Sequence, residues 1–462
     1  MTTLTRLIRA VTTLKKDRVI PRRHRWLDQW LVAKGKPLKK LVDKTIKFVD
    51  HDEQCSERRQ RKRTQAAREL HERQIEGLVA NLAYAVLIPP ETGRLAINTR
   101  NEASGLTRYD CRAFAPKTLR ASIGRLYMLE VIDWQRPKTM RGEKASIAPT
   151  EWFARKVREH AVTLADFGRD EEEELIILNL KTRGVFDAFA SEKPATTSER
   201  VNYSSSRKVD ALRVRMRQIN RHLVNADISF IEDGGPLVDP YDRSMRRMFV
   251  MRGGKEKPKF DQSGRLYGGF WQYLKSERRK CIRINGEPIA ILDYSTMFTR
   301  LAYAHLKALP PDGDLYSIPG LEDYRNGVKL VMNCFLFDQG PRRSWPPDLK
   351  LGDDDRSISG GDARLPAGWN VARTKKAILA KHPALAPALG KGLGYHLMFL
   401  ESEILLSVLE QLGGHGVVGL GLHDGVFVPL SRGPQAKKIM EDVPLKLLGF
   451  TLPVTLKSVE EV

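Results

Sequence analysis

Residues 283–306 read RINGEPIAILDYSTMFTRLAYAHL, and they contain the junction on which the prediction of the fold depends. A polar turn, NGEP, precedes the apolar run IAIL, whose length is typical of a buried strand. Asp293 follows that run directly, and apolar residues then recur at helical intervals from Phe298 to Leu306. A carboxylate at such a junction is either a metal ligand at a sheet edge or an ordinary turn residue. The strand alone does not decide between these two interpretations.

The composition of the 462 residues is that of a large globular protein. Hydrophobic residues make up 41% of the chain, and no apolar run reaches the ~18 residues that a membrane span needs. The length allows two or three domains, each with its own core. The basic N-terminus lacks an apolar signal core, and the four scattered cysteines include no CxxC pair. We therefore expect a reduced, cytoplasmic protein without an export signal, a membrane segment or a zinc site.

Positive charge is the strongest global feature of the sequence. The chain has 78 basic and 56 acidic residues, which give a net charge of +22. Such an excess predicts a polyanionic partner, most often nucleic acid, whose binding weakens with salt. Residues 1–70 alone hold 20 basic and 8 acidic residues. Apolar residues among these charges predict a basic helical arm that follows a phosphate backbone, and a poorly ordered extension is the alternative.

Residues 71–150 are predicted to form a DNA-binding domain. An amphipathic helix near residues 75–86 precedes a short strand, a second helix at residues 116–129, and strands at residues 131–134 and 145–147 that flank a basic turn. This order resembles a winged helix-turn-helix, in which the helix enters a groove and the hairpin tip contacts phosphates. A winged-helix module that binds proteins has the same pattern. The predicted DNA contacts are Lys117, Arg120, Arg125, Arg136 and Lys138.

Residues 151–208 are predicted to be a connector. The acidic run at residues 171–174 is interpreted as a solvated helix face, and the polar residues 189–208 as a linker that marks the main boundary. Beyond the boundary, residues 264–281 combine aromatic side chains with a basic tract. The aromatic residues either stack on bases or fill a core, and the cations suit phosphates. The cations predicted to contact nucleic acid are Arg278 and Arg279.

Two further patterns accompany Asp293. In residues 325–337, RNGVKLVMNCFLF, every fourth residue lies on one face of a helix. Two cations one turn apart on this face suit a triphosphate, whose charge grows on the leaving group during transfer. In residues 417–429, a tight turn at HDG separates two apolar runs, which predicts a β-hairpin whose tip carries Asp424. The residues of the helix face are Arg325, Lys329, Asn333 and Phe337.

The order strand–Asp–helix, cationic helix and hairpin–Asp resembles the polymerase domain of family A DNA polymerases and single-subunit phage-type RNA polymerases. Asp293-Tyr294-Ser295 resembles the first palm motif, the cationic helix resembles the fingers helix, and His423-Asp424 resembles the HD of the last palm motif. The resemblance covers roughly residues 209–460. It implies an α+β fold, in which a helical and winged-helix region precedes a palm, fingers and thumb domain at residues 209–462.

The resemblance also implies roles for the residues of the palm motifs. Asp293 and Asp424 would ligate two Mg2+ ions with help from the main-chain carbonyl of Tyr294, because hard cations that bridge phosphates prefer oxygen ligands. One ion would activate a primer 3′-hydroxyl and the other would hold the leaving pyrophosphate. His423 would lie by the primer end. The implied partners are a DNA primer-template or duplex and nucleoside triphosphates.

Nucleotide binding is assigned by the same resemblance to the fingers helix. Arg325 and Lys329 would bind the triphosphate, Phe337 would lie near the base or sugar, and Asn333 is also expected to bind the nucleotide. Phe298 stands where family A DNA polymerases have an acid near the sugar. Gly425, and no second acid, follows Asp424, which is closer to the RNA polymerases. The choice between deoxyribonucleotides and ribonucleotides therefore stays open.

These patterns favour a template-directed nucleotidyltransferase, with DNA synthesis favoured over RNA or primer synthesis. The rival interpretation is a non-catalytic DNA-binding protein, such as a replication initiator or regulator of a mobile element. A regulator has no need of the two aspartates or of the cationic helix face, and these features separate the two classes.

Overall fold

The protein is a mixed α/β structure that divides into two units, Met1–Glu173 and Glu174–Val462. The computed structural model describes residues 25–55, 61–98, 106–136, 144–183, 196–252, 257–345 and 364–458. Within these ranges, no helix combines the length and apolarity that a membrane crossing requires. The second unit begins well before residue 209, where the catalytic domain is predicted to start.

The described residues of the first unit form four α-helices and two small sheets. Its helices are α1 (Lys36–Cys55), α2 (Gln65–Leu87), α3 (Pro116–Met128) and α4 (Glu151–Glu159). Its strands are β1 (Arg25–Trp26), β2 (Leu31–Ala33), β3 (Leu95–Ile97), β4 (Ile132–Gln135), β5 (Ala145–Pro149) and β6 (Phe167–Arg169). One sheet has the order β1-β3-β5-β4, and β2 pairs with β6.

Local sequence signals account for the helix starts in this unit. The Thr64 side chain caps α2 by accepting a hydrogen bond from Ala67 N, and Pro116 occupies the first turn of α3, where no amide donor is needed. The apolar faces of α2 and α3 then pack into one core with β3 and β5. The helix at residues 116–129 and the strands on either side of the basic turn are therefore as predicted from the sequence.

The second unit contains two larger sheets and eight helices among the residues that are described. Its strands are β7 (Ile176–Arg183), β8 (Thr196–Arg200), β9 (Ile228–Phe230), β10 (Met245–Arg252), β11 (Ser263–Gly268), β12 (Ile282–Ile284), β13 (Glu287–Tyr294), β14 (Leu420–Leu422), β15 (Gly425–Pro429) and β16 (Val454–Ser458). Its helices are α5 (Arg207–Asn225), α6 (Phe270–Tyr273), α7 (Ser276–Arg279), α8 (Met297–His305), α9 (Arg325–Phe337), α10 (Val371–Lys381), α11 (Gly394–Gly414) and α12 (Gly433–Leu448).

Strand β13, which the sequence predicts around IAIL, is the centre of one sheet. It pairs antiparallel with β15 along one edge and with β16 along the other, within the order β14-β15-β13-β12-β9. Ile289, Ala290 and Leu292 are fully buried. The Tyr294 hydroxyl donates a hydrogen bond to Met440 O in α12 at 2.6 Å, which fixes the end of the strand against a helix. Asp293 is therefore held on a rigid element.

The second sheet has the order β11-β10-β7-β8, and it is joined to long helices by buried ion pairs. Arg247 in β10 is fully buried and donates to Glu403 in α11 at 2.6 Å. Arg215 in α5 reaches Glu403 and Glu410 at 2.9 and 2.6 Å. These contacts connect β10 and α5 to the same helix, α11.

Two parts of the predicted connector differ in the structure. The interpretation of residues 171–174 as a solvated helix face is wrong for Glu173 and Glu174, which are buried and non-helical. Within the first unit Glu173 pairs with Arg169 at 2.7 Å, and within the second unit Glu174 pairs with Arg213 at 2.6 Å. The predicted linker at residues 189–208 includes β8 and the start of α5. Residues 189–195 of that prediction lie outside the described ranges.

Candidate active site

Asp293 and Asp424 occupy neighbouring positions at one end of the β13–β15 strand pair. Asp293 lies opposite Gly425 in the antiparallel register, and Tyr294 N donates a hydrogen bond to the main-chain oxygen of Asp424 at 3.2 Å. Asp424 belongs to the two-residue turn between β14 and β15, where His423 has a φ of 53°. Both aspartates are half-buried. The fold thus brings the main chains of two aspartates that are far apart in the sequence next to each other.

Because Gly425 has no side chain, the Asp293 carboxylate can occupy the space next to it. A Cβ at position 425 would lie 2.1 Å from Asp293 Oδ1 and 2.7 Å from Leu292 O. Neither distance is possible between non-bonded atoms, so any side chain here would displace Asp293 or the strand. The absence of a second acid after Asp424 therefore has a physical reason in this fold.

An ion pair of Arg265 and Glu401 lies beside these aspartates. Arg265 in β11 forms two parallel hydrogen bonds to Glu401 in α11, at 2.7 and 2.8 Å. The Glu401 side chain is 2% exposed, and its burial raises the pKa of the carboxyl, an effect that Arg265 opposes and the negative charge of Asp424 reinforces. The guanidinium also lies 5.7 Å from the Phe298 ring centroid. Arg265 therefore brings a paired positive charge near Asp424.

His423 and Arg279 are two further ionisable groups near the aspartates. Crowding by protein atoms lowers the pKa of His423, and the charge of Arg265 adds to this effect, while Asp424 opposes it. His423 is therefore neutral at neutral pH. Burial lowers the pKa of Arg279, and the charge of Asp293 opposes that shift. The Arg279 Nε also donates to Leu274 O at 3.1 Å, which holds the guanidinium in place.

The N-terminal end of α9 lies beside Tyr316, which is within electrostatic range of Asp424. Arg325 forms an ion pair with Asp314 at 2.6 Å and lies 5.2 Å from the Tyr316 ring centroid. Burial raises the pKa of Tyr316, and the charge of Asp424 acts in the same direction. Lys329, one turn along the helix, is exposed. The structure thus brings Arg325 and Asp424 near a common aromatic residue.

The other two residues of the predicted face are partly buried. Asn333 Oδ1 is a buried acceptor that has no hydrogen-bond partner in the described structure. Phe337 stacks on Phe298 with ring centroids 5.7 Å apart, and the edge of Tyr395 packs against it at 5.3 Å. A Cβ at Gly394 would lie 2.4 Å from Phe337, so this glycine permits the close approach. Phe298 and Phe337, both predicted to lie near the nucleotide, form one aromatic cluster.

The donor set at the strand end fits a hard divalent cation. Two half-buried carboxylates and nearby main-chain carbonyls are the oxygen ligands that Mg2+ prefers, and Gly425 leaves room for the Asp293 carboxylate. Among the described residues, no group of three or more His, Cys, Asp or Glu side chains is gathered as a metal site. The protein ligands available here are therefore Asp293, Asp424 and backbone oxygens such as that of Tyr294.

The cations predicted to contact nucleic acid have different surroundings. Lys117 and Arg120 lie on the exposed face of α3. Arg125 on the same helix pairs with Asp52 at 2.9 Å, and Arg278 pairs with Asp233 at 2.6 Å, so both are engaged by acids within the chain. Arg136 stacks on Trp134 at 4.9 Å. Lys138 lies outside the described residues.

Sequence patterns miss three residues of this site. They are Arg265, Tyr316 and Glu401, of which Tyr316 and Glu401 are buried. Each gains its role from partners far along the chain, since Arg265 and Glu401 are 136 residues apart. The one local signal is that Arg265 follows a glycine at the start of the tract that combines aromatic and basic residues.

No protein-family model matches the chain, and no curated protein matches it. Among solved structures, one match is the POL domain of Pol1 from M. smegmatis, in complex with DNA primer-template and dNTP. The alignment covers 94% of this chain and 67% of that chain, with 9% sequence identity and a TM-score of 0.30. Such low similarity does not define a shared fold, and function must be inferred from the chain's own residues.

Proposed function

We propose that the protein is a template-directed nucleotidyltransferase, with DNA synthesis favoured over RNA or primer synthesis. The observation that carries the proposal is the position of Asp293 and Asp424 at the same end of one strand pair, beside the cations Arg265 and Arg279. Phosphoryl transfer needs little covalent chemistry from the protein, but it needs carboxylates for metal ions and cations for developing charge. Both kinds of group meet at this strand end.

Asp293, Asp424 and the Tyr294 carbonyl would hold Mg2+ at the site. When bound, the metal supplies charge stabilisation and lowers the pKa of an attacking hydroxyl. His423 is neutral at neutral pH, because its pKa is lowered, and it can exchange a hydrogen bond with a primer end without adding charge. Arg265 is fixed by Glu401 and limits the electrostatic repulsion between the aspartates and an incoming phosphate.

The triphosphate would bind along α9. Lys329 is exposed and reaches solvent from the same face as Arg325, which pairs with Asp314. This ion pair is half-exposed, so exchanging Asp314 for a phosphate has a small energetic cost. The buried Asn333 Oδ1 lacks a partner in the described structure, and a ligand donor would satisfy it. A charge series and an unsatisfied acceptor on one helix face thus support nucleotide binding there.

The first unit would bind DNA through a winged helix. Its α2, β3, α3, β4 and β5 follow one another in the order of that motif, with β5 between β3 and β4 in the sheet. Lys117 and Arg120 on the exposed face of α3 suit phosphate contacts. A phosphate at Arg125 would have to compete with Asp52 and Glu53, which already pair with this side chain.

RNA synthesis is the second candidate, and Gly425 is the observation that favours it. The fold has no room for an acid after Asp424, and an HD without such an acid is closer to the single-subunit RNA polymerases. Phe298 does not resolve the choice, because it replaces an acid with an aromatic ring that packs on Phe337. The sugar specificity must therefore be measured, by comparing primer extension with deoxyribonucleotides and with ribonucleotides.

Primer extension tests the proposal. The full chain is incubated with a labelled primer-template, Mg2+, and either all four deoxyribonucleotides or all four ribonucleotides. We expect extension by the wild type with one set, and loss of at least about 1,000-fold in Asp424→Asn, which keeps the shape but removes the charge. Asp323→Asn, a change at an exposed acid of this unit, is the matched control and should extend normally.

The same assay distinguishes a polymerase from a non-catalytic DNA-binding protein. If the wild type extends nothing with either nucleotide set but binds the duplex tightly, the protein is a DNA-binding initiator or regulator. If extension persists undiminished in Asp424→Asn, the assignment of Asp424 as a metal ligand is wrong even though the activity is real.

A further inference from the structure

A cavity lies beside the C-terminal end of α9. Phe335 lines it, and this residue faces away from Asn333 and Phe337 because residues two apart on a helix point to nearly opposite sides. The cavity volume is about 700 Å³. Its other walls are residues 340–343, the first turn of α10, and residues 389–391. The site is therefore distinct from the face on which Arg325 and Lys329 lie.

Backbone hydrogen bonds fix the shape of this cavity. Gly390 N donates to Phe335 O at 2.8 Å, and Gly340 N donates to Gly390 O at 2.7 Å. Gly392 N donates to Asp338 O at 2.7 Å. Backbone hydrogen bonds thus hold two separate segments at the end of α9. The walls of the cavity are therefore fixed by the folded backbone.

The lining carries a strong excess of positive charge. Arg343, Lys375 and Lys391 are exposed at its walls, and none of the described residues that line it is acidic. Arg342 also lines the cavity, but Asp338 pairs with it at 2.5 Å and balances its charge. These three cations repel one another, since the described lining offers no acid to balance them. An anion in the cavity would relieve that repulsion.

The first turn of α10 adds amide donors to these cations. Asn370 caps the helix by accepting a hydrogen bond from Arg373 N at 2.9 Å, and Asn370, Val371 and Ala372 line the cavity. The N-terminal end of a helix carries a partial positive charge, which favours phosphate. Here it acts together with the side-chain cations and is not the only attraction.

Apolar residues form the floor of the cavity. Phe335 and Leu389 are buried beneath it, and Val371 and Pro341 border it. A site with an apolar floor and a cationic rim suits a ligand that has a flat apolar part and a phosphate. The volume lies within the range of pockets that hold small organic ligands. Inorganic phosphate would leave the floor unused.

We propose that this cavity binds a nucleoside phosphate, with the base on the apolar floor and the phosphate among Arg343, Lys375 and Lys391. The nucleoside phosphate is either a free nucleotide or an unpaired nucleotide of a bound strand, since both present the same chemistry. The inference is independent of the proposed catalytic activity, because it depends only on the lining of the cavity and requires no metal.

Binding measurements on the full chain test this inference. Affinities for two probes, dAMP and a single-stranded dT10 oligonucleotide, are measured by titration calorimetry in EDTA, which removes any contribution of a divalent cation. The test variant is Arg343→Gln/Lys375→Gln. Lys376→Gln is the matched control, because Lys376 lies on the same helix, is exposed, and does not line the cavity. Lys329→Gln reports separately on the outer face of α9. Thermal melting checks that all variants are folded.

We expect the double variant to lose about tenfold or more in affinity for at least one probe, while Lys376→Gln stays within about twofold of the wild type. A loss for dAMP identifies a free nucleotide as the ligand, and a loss confined to dT10 identifies a strand. If neither affinity falls below that of Lys376→Gln, the inference is overturned. If Lys329→Gln weakens dAMP binding and the double variant weakens binding of neither probe, the inference fails while the proposed function stands.

Discussion

At position 425 the candidate site leaves no room for a side chain. Substitution of Gly425 by alanine would put a methyl group where Asp293 Oδ1 now lies, 2.1 Å from the ideal Cβ position. We expect Gly425→Ala to displace the Asp293 carboxylate and to slow single-turnover primer extension by about 100-fold, because a shift of about 1 Å in a reacting group has that effect. Gly414→Ala is the control, since no atom lies within 4 Å of its added Cβ. Equal rates in the two variants would contradict the role given to Gly425.

Variants of the Arg265–Glu401 ion pair can separate its contribution to stability from its contribution to activity. Arg265→Ala leaves the buried Glu401 carboxylate unpaired, so we expect the free energy of unfolding to fall by about 3–5 kcal/mol. Replacing both residues, as in Arg265→Ala/Glu401→Leu, removes the unpaired charge and should restore most of that loss. Urea unfolding measures both effects.

Primer extension by the same double variant tests what Arg265 does for Asp424. We expect extension to stay at least about tenfold below the wild type after stability is restored, because the positive charge beside Asp424 is missing. Full recovery of extension together with stability would show that Arg265 only balances Glu401.

The sequence identifies Asp293 and Asp424 more readily than their neighbours for a physical reason. Each aspartate follows or precedes a short apolar run at a turn, and that local pattern is visible in one dimension. Arg265, Glu401 and Tyr316 lie in segments whose patterns indicate only a strand, a helix and a loop. Their importance comes from ion pairs and charge contacts across the fold, which no local spacing encodes.

Among the elements, α8 is connected to the segment before α9 by a fully buried histidine. The Tyr303 hydroxyl lies 2.8 Å from His382 Nδ1, and the other ring nitrogen lies 2.8 Å from Leu315 O. Because a carbonyl only accepts, Nε2 carries the proton and Nδ1 accepts from Tyr303. We expect His382→Ala to lower the free energy of unfolding by about 2–4 kcal/mol, since it leaves two buried polar groups without partners.

The pH dependence of this link has a definite sign. Burial lowers the pKa of His382, although the Leu315 carbonyl partly opposes the shift. The unfolded chain therefore binds a proton near pH 6.5, where the folded chain does not, so stability falls as the pH drops below about 6.5. Urea unfolding at pH 7.5 and pH 5.5 should show this loss in the wild type and in His415→Ala, an exposed-site control, and a smaller loss in His382→Ala. An identical pH dependence in His382→Ala would contradict it.

Most elements of the second unit can be predicted from the sequence, but their pairing cannot. The helices at Arg325–Phe337 and Gly394–Gly414 and the hairpin around Asp424 follow from their periodicity and turn residues. The parallel pairing of β7 with β10 was not predicted, because it joins segments separated by a long connection that includes α5. Strand β8 was hidden by a Ser- and Thr-rich composition that usually marks a loop.

At the scale of the whole molecule, the net positive charge determines which class of partner the protein attracts. The charge of +22 predicts attraction to any polyanion, but in the described structure acids already engage some of the cations. The engaged cations include Arg125, Arg213, Arg215 and Arg278. These four stabilise the fold, so the formal charge overstates the surface that is available to DNA.

Salt dependence measures how much of that surface contacts DNA. The affinity of the full chain for a duplex should fall steeply with salt, with a slope of log K against log salt that reflects the number of phosphates contacted. Lys117→Gln/Arg120→Gln should weaken binding and reduce the slope by about two, because each cation lost from the exposed face of α3 removes about one phosphate contact. Arg155→Gln changes an exposed cation on α4 and should keep the wild-type slope. A double variant that keeps the wild-type slope would exclude α3 from the DNA interface and would leave the first unit as a protein-interaction module.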